Sequence, residues 1–436
     1  MKSLIKKFIP RSAISWYHLF LAKLAAWWFG YPSRRLVVVG VTGTGGKSST
    51  VYLLAKLLEA AGKKVGVTST VFFKVGEWEK LNDKKMTMLG RFQTQKMLSR
   101  MVKAGCEIAL IETTSQGIEQ FRHIDIDYDV VVLTNLYPEH LEAHGGFANY
   151  QKAKGKLFAA LATTYKKSFA PPKTIIVNGD DEQAEYFLSF PADKKVVFGL
   201  KPNSFVVDEQ IKAFNYLSAG QNISFKIEDQ DFSLSLMGEL NIYNSLCAVT
   251  ITKVLGLGWQ KIKLAAGAMK NIPGRQEFIE AGQNFKVMVD YAFEPKAMTA
   301  LYETIKQIPH QRIIHVLGGT GGGRDVARRP ILGEIAGQQA SVVIVTNEDP
   351  YDDDPLMIIN QVADGAIRKG KQEGQDLWKI LDRREAIAKA IALSQPEDLI
   401  LVTGKGSEQA ICVKNGQKIP WDDRQVAKEE ILKALK

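Results

Sequence analysis

The 436-residue chain is too long for one ordinary core, so two or three domains are expected. Its 45% hydrophobic and 24% charged residues are those of a globular protein. A formal charge of +10 suits an anionic substrate, a membrane surface or nucleic acid, but the basic residues are scattered and form no nucleic-acid motif, so no nucleic-acid partner is expected.

Cys106, Cys247 and Cys412 are few and far apart. They make neither a zinc pattern nor a disulfide framework, which points to a reducing cytoplasm.

Residues 1–35 form a segment of their own. Lysines come first, then a mostly apolar stretch from Ile14 to Phe29, interrupted by His18 and Lys23. No small-x-small cleavage site follows, and a membrane span needs about 20 apolar residues. Two readings stand: an amphipathic helix packed on the protein's own body, or one lying peripherally on a membrane, its lysines and tryptophans among the headgroups.

From residue 36 strand-like and helix-like stretches alternate. Val37–Val41 is a buried-strand run, and Ser48–Ala61 has helical spacing. Lys64–Thr68, Glu107–Ile111, Val130–Leu133 and Thr174–Val177 read as strands, Gln93–Lys103 and Tyr150–Leu161 as helices. This predicts an α/β fold, a mostly parallel sheet with helices on both faces. Residues 200–236 look like a small antiparallel patch, and helices follow at Asn241–Leu255 and Lys261–Met269. The Pro-Gly break in NIPGRQE ends this 36–272 unit. A second alternating series beginning near Phe285 predicts a Rossmann-like α/β domain over 273–436.

The stretch VVVGVTGTGGKSST at 37–50 joins a strand, a glycine turn and a helix. Such a turn points backbone N–H groups inward at a helix N-terminus, a cradle for phosphate. The usual spacing G-x-x-x-x-G-K-[ST] fails by one residue, because Val41 stands five positions before Gly46. Gly43, Gly45 and Gly46 still allow close approach of phosphate. The nucleotide set is then Thr42, Gly43, Thr44, Gly45, Gly46, Lys47, Ser48 and Ser49. Lys47 faces the outer phosphates and Ser48 offers its hydroxyl to Mg2+. The loop by itself fits kinases, switches, motors and ligases equally.

Other stretches narrow the choice. IETTSQG (111–117), TNLYPEHLEAHG (134–145), NYQKAK (149–154), GELNIYNSLCA (238–248), PGRQE (273–277), VDYAFEP (289–295), GRDVARRP (323–330) and GKGSE (404–408) follow GVTGTGGKSST in order. Together they resemble the Mur ligases, which build the peptide of bacterial cell walls, and most of all the branch that adds the third peptide residue. That family writes its loop G-x-T-G-T-x-G-K-[ST], so Val41 is expected there. The resemblance runs from about residue 36 to the C-terminus.

The resemblance implies an ADP-forming amide ligase. ATP phosphorylates a carboxylate of a cell-wall peptide precursor, such as UDP-MurNAc-dipeptide, and the amine of an amino acid attacks the acyl phosphate. Such a transfer brings anions together and calls for metal ions. The residues that match are Glu112 beside Ser48 for one Mg2+, and His140 with a CO2-derived carbamate on Lys154 for a second. Asn241 and Asn244 match positions near the adenine, Arg275 one reaching the γ-phosphate, and Asp290 one at the ribose. Thr87, Thr114, Ser115, Arg122, Lys405 and Glu408 match substrate-contacting positions. Read by itself, Glu112 ends a strand at the expected carboxyl edge of the sheet and is a good Mg2+ ligand shared with Ser48, the alternative being a cap of the next helix; His140 is a surface histidine, Lys154 is one of three lysines on a solvated helix face, and the two asparagines have helix capping as their alternative.

The chain also departs from the family. Only about 35 residues precede the first strand, where the family has a UDP-binding domain on the order of 90 residues. The family's T-T-P is Thr87-Met88-Leu89, and two of its histidines are Phe293 and Ser407. Diaminopimelate enzymes carry D-N-P-R, whose arginine pairs with the distal carboxylate. Here EDPY (348–351) precedes Asp352, Asp353 and Asp354. This acid run is either a solvated loop or a site for a cationic side chain, and diaminopimelate is disfavoured. Alternatives are a ligase for a non-wall acceptor such as folate and a non-catalytic ATP-binding regulator. A monomer is expected, though no residue pattern fixes it.

Overall fold

A computed structural model describes residues 11–139, 141–269, 271–323 and 326–436. His140 lies outside them. Eleven strands among these form one sheet: β1 (Val37–Thr42), β2 (Val65–Thr68), β3 (Phe72–Val75), β4 (Trp78–Leu81), β5 (Ile108–Glu112), β6 (Val130–Leu133), β7 (Thr174–Asn178), β8 (Lys194–Gly199), β9 (Glu209–Ala219), β10 (Asn222–Ile227) and β11 (Gln230–Leu234). Their spatial order is β11-β10-β9-β8-β7-β6-β1-β5-β2-β3-β4.

The strands from β9 through β2 in that order run parallel. Those from β8 through β2 are short, rich in β-branched residues and largely buried, as strands covered on both faces require. In β1, Val39 and Val41 enter one core with the helices Lys47–Ala60 and Glu239–Val254. Val38 enters the opposite core with the helices Arg91–Lys103 and Phe147–Leu161. β1 lies between β5 and β6, where the chain changes direction of winding across the sheet. Ligands of α/β folds bind at such a switch point, outside the carboxyl ends of the strands.

The antiparallel patch is present as β9, β10 and β11, and it extends the main sheet because β9 pairs in parallel with β8. The hairpin β3–β4 closes the other edge, and β8 supplies a strand that the apolar pattern missed.

A second sheet contains β12 (Glu277–Phe278), β13 (Lys286–Asp290), β14 (Ile313–Leu317), β15 (Val342–Thr346), β16 (Leu377–Ile380) and β17 (Leu399–Thr403). The order is β12-β13-β17-β14-β15-β16, all parallel except β12. One face is covered by Pro295–Ile305, Arg328–Gln339 and Pro355–Arg368, the other by Arg383–Leu393 and Asp423–Ala434. A hairpin of β18 (Ala410–Val413) and β19 (Gln417–Pro420) sits beside it.

The helix Arg11–Trp28 lies against the helix Arg91–Lys103 and buries Ala22, Ala25 and Ala26. Packing on the protein's own body therefore holds for one of its faces. Among the described residues no helix is long and apolar enough to cross a membrane.

Candidate active site

A cavity of about 570 Å³ runs between the carboxyl edges of the two sheets. The first sheet supplies the turn after β1. Gly46 has φ 78°, and a Cβ there would stand 2.3 Å from Asn244 Oδ1. At Gly43 it would meet Thr134 Oγ1 at 1.9 Å. Both positions exclude a side chain, which is why the loop needs glycine at them. Thr44 N donates to Asn135 O at 2.9 Å and Gly45 N to Asn135 Oδ1 at 2.8 Å, fixing the loop from the segment after β6.

Ser48 Oγ donates to Glu112 Oε1 at 2.8 Å. Register explains the meeting, since Glu112 ends β5 opposite Val41 of β1. Glu112 is buried and also accepts from Thr70 N at 2.7 Å and Thr70 Oγ1 at 3.0 Å. The Thr70 hydroxyl in turn meets Thr87 Oγ1 at 2.8 Å. Thr114, not Glu112, caps the next helix, accepting from Gly117 N. Helix capping by Glu112 is thereby excluded.

Lys47 Nζ folds back to Thr44 O at 2.7 Å. Burial lowers its pKa, with Glu112 and Glu294 opposing and Arg275 adding to the fall. Lys154 is buried, while Lys152 and Lys156 on the same helix are exposed, so the three-lysine solvated face is corrected at its middle member. Its Nζ donates to Gly43 O at 2.8 Å, behind the loop, and lies 4.6 Å from the Tyr150 ring. Burial, reinforced by Lys47, pushes its pKa well below that of a free lysine.

Asn241 and Asn244 are not helix caps, because Gly238 holds the N-cap position of Glu239–Val254. Asn244 Nδ2 donates to Asn241 Oδ1 at 3.0 Å, and Asn241 Nδ2 reaches Gln276 Oε1 at 3.3 Å in the segment leading to the second sheet. Arg275 stacks over Tyr291 at 4.1 Å. Asp290 ends β13 and accepts from Gln276 N at 2.7 Å and Ala292 N at 2.6 Å; burial raises its pKa.

Thr44 through Ser49, Glu112, Asn241, Asn244, Arg275 and Asp290 share the cavity, together with Thr87, Thr114 and Glu408. Thr42, Gly43, Ser115, Arg122, Lys154 and Lys405 do not line it. Ser115 Oγ instead bonds His144 Nε2 at 3.0 Å, Arg122 bonds Met88 O and Gln120 Oε1, and Lys405 is fully buried on Asp349 at 2.8 Å and Glu408 at 3.0 Å.

Several cavity residues were not predicted. Tyr137 donates to Glu294 Oε2 at 3.2 Å and its N–H to Thr44 Oγ1 at 3.2 Å, bringing the second sheet onto the phosphate loop. Both lie inside quoted motifs, TNLYPEHLEAHG and VDYAFEP, which was the available signal. Lys85 and Asp349 were also missed. The acid run is solvated at Asp352 and Asp354, and each of its three acids also has a partner within the chain. Asp352 accepts from Asn415 N, Asp353 pairs with Arg329 at 3.2 Å, and Asp354 caps the helix Pro355–Arg368. Among the described residues no group of three or more His, Cys, Asp and Glu gathers for a metal. The Ser48–Glu112 pair still suits Mg2+, which takes few protein oxygens and leaves the rest to phosphate and water.

A phosphate loop on one sheet, faced across a cavity by an arginine and carboxylates of another, is the layout of an ATP-dependent ligase. Residues 41–252 match the Mur ligase middle domain and residues 274–406 the Mur ligase glutamate ligase domain. UDP-N-acetylmuramyl-tripeptide synthetase of Roseiflexus sp. (strain RS-1) is 35% identical over 422 residues, 94% of this chain and 81% of that protein. UDP-N-acetylmuramoyl-L-alanyl-D-glutamate--2,6-diaminopimelate ligase of Geobacillus kaustophilus (strain HTA426) is 34% identical over 418 residues, with 94% and 82% covered. A solved 2,6-diaminopimelate ligase of that type superposes with TM-score 0.60 at 26% identity, over 92% of this chain and 79% of that one. Folylpolyglutamate synthase of Mycobacterium tuberculosis shares the fold, with TM-score 0.70 at 17% identity over 89% and 93%. The chain belongs to the Mur ligase family, ATP-dependent amide ligases that form ADP.

Proposed function

We propose that the protein adds an amino acid to a cell-wall peptide precursor, UDP-MurNAc-dipeptide or a related acceptor, through an acyl phosphate. The observation that carries this reading is the continuity of the cavity, from the phosphate loop past Arg275 to Asp349 and Glu408. Nucleotide, acceptor and amine then meet in one space. The closest support for the acceptor is the named activity of the tripeptide synthetase relative.

In this reading residues 42–49 hold the phosphates, Asn241 and Asn244 flank the adenine, and Asp290 takes the ribose hydroxyls. Lys47 leaves Thr44 O to meet the outer phosphates, and Arg275 approaches the γ-phosphate from the second sheet. Ser48 and Glu112 would hold one Mg2+; His140 and a carbamate on Lys154 would hold another. When bound, these ions neutralise the phosphate oxygens as the carboxylate approaches. The acceptor carboxylate oxygen attacks the γ-phosphorus and ADP leaves. The amine nitrogen then attacks the acyl carbon, phosphate leaves, and the nitrogen loses a proton.

The carbamate is supported by the setting of Lys154. Its amine is buried beside Lys47, where the ammonium is disfavoured, and only the neutral amine attacks CO2. Thr87 and Thr114 would touch the acceptor. Ser115 and Arg122 hold the surrounding segments, and Lys405 orients Asp349 and Glu408. In this reading the protein works as a monomer, and its cytoplasmic setting is supported by three free, buried cysteines.

The test is phosphate release by the purified protein. Turnover that rises only when UDP-MurNAc-dipeptide and an amino acid are both present supports the ligase. Turnover indifferent to amine, or absent across a panel of acceptors, makes the protein a nucleotide-binding regulator instead.

A further inference from the structure

The ligase reading leaves the helix Arg11–Trp28 without a role. Its inner face is made of small residues, and burying Ala22, Ala25 and Ala26 lets it lie close against its neighbour. Its outer face is large and aromatic. Trp16 is 74% exposed, Trp27 63% and Trp28 69%, and Tyr17 and Phe20 are also exposed. At one residue per ~100°, Trp16, Phe20, Lys23 and Trp27 fall within about 60° of one another, with Tyr17 and Trp28 extending the same side. Isolated exposed apolar residues are ordinary, but a continuous stripe marks an interaction site.

Charge identifies the occupant. Residues 1–35 contain Lys2, Lys6, Lys7, Arg11, Lys23, Arg34 and Arg35, and no Asp or Glu occurs before Glu59. Lys23, Arg34 and Arg35 are exposed; Lys23 lies 3.9 Å from Asp125 and Arg34 3.2 Å from Asp127, which leaves the other basic residues of the segment in excess. A second copy laid on this face would set one cationic segment against another. An anionic lipid surface meets both features. Tryptophan and tyrosine favour the depth of the headgroups, and lysine and arginine are drawn to their charge.

We propose that the face formed by Trp16, Phe20, Lys23, Trp27 and Trp28 docks the protein on an anionic bilayer, the helix lying in the plane of the interface. The attachment is peripheral, and it stands independently of which acceptor the ligase uses.

The experiment is cosedimentation of the full chain with phosphatidylcholine vesicles, with and without phosphatidylglycerol. The variant is Trp16→Ser/Trp27→Ser/Trp28→Ser, checked by circular dichroism and by ATP turnover in solution, which should match the parent. A single charge reversal, Lys23→Glu, serves as a milder second variant. Expected are binding only to phosphatidylglycerol vesicles, a blue shift of tryptophan emission on binding, and about tenfold weaker binding in the triple variant. Equal binding to neutral vesicles, or no vesicle binding, overturns the proposal. So does a concentration-dependent dimer in sedimentation equilibrium that the triple variant abolishes while vesicles leave the parent untouched.

Discussion

Lys85 reaches from the loop after β4 to the second sheet and donates to Asp349 Oδ2 at 2.6 Å. The same ammonium bonds Glu408. Lys405 approaches both acids from the other side, so two lysines and two carboxylates form one buried group across the cavity. Lys85 is held charged here, its pKa raised although burial alone would lower it. Lys85→Met should therefore lower stability by about 2–3 kcal/mol, at or below the usual cost of halving a buried pair because Lys405 remains. Denaturant unfolding measures it. A Lys85→Met/Asp349→Asn cycle should show a coupling of about 1 kcal/mol or more.

Lys154→Ala should reduce amine-dependent phosphate release by about a hundredfold or more, the size of effect expected when a group acting on the transferring charge is lost. Small carboxylates added to the variant should restore part of the rate. An alanine variant with full turnover removes the carbamate from the reading.

Gly46→Ala combines two penalties: a left-handed backbone at φ 78° and a contact with Asn244 Oδ1. The backbone conformation alone costs about 1–2 kcal/mol. Nucleotide binding, followed by calorimetry, should weaken by roughly tenfold or more.

His315 bonds Tyr302 Oη through Nδ1 at 2.7 Å and Thr403 Oγ1 through Nε2 at 2.9 Å. Burial, aided by Arg383, moves its pKa from the ordinary 6.5 to about 3. Above pH 6.5 the ring is neutral whether folded or unfolded and its contribution is complete. Between 6.5 and 3 the unfolded chain takes the proton that the folded chain refuses. Stability falls with pH through that window, by at most about 1.4 kcal/mol per pH unit from this group. His315→Asn should flatten the slope of unfolding free energy against pH there, whatever its effect on stability at neutral pH.

Tyr351 stands where diaminopimelate enzymes of the family carry an arginine, and the neighbouring Asp352, Asp353 and Asp354 are committed to holding the loop. Diaminopimelate should be a poor amine donor. In an assay with several amino acids at equal concentration, product formation with diaminopimelate equal to the best donor would refute this.

The parallel strands were legible because burial on both faces leaves continuous β-branched runs, as in Val37–Thr42 and Val130–Leu133. The phosphate loop was legible because its chemistry is local: turn, lysine and serine are consecutive. The hairpin β3–β4 was not, because short strands at a sheet edge are specified by pairing more than by pattern; β8, an interior strand, was not because it opens on two lysines and has only Val196, Val197 and Phe198 as an apolar run. The charged group joining Lys85 to Asp349 spans 264 positions, and neither lysine nor aspartate signals its partner from that distance. Asp352, Asp353 and Asp354 look alike in sequence and differ only by which donor each meets.

The cavity's position between two sheets also bears on what a titration with ATP would report. Gln276 and Asp290 belong to one side, the phosphate loop and Asn244 to the other. Tyr137–Glu294 and Arg328–Glu139 tie the sides together at 3.2 and 3.1 Å. Observed affinity is then the intrinsic affinity multiplied by the fraction of molecules already brought together. A change at Glu139, which does not line the cavity, would shift the apparent dissociation constant through that fraction alone.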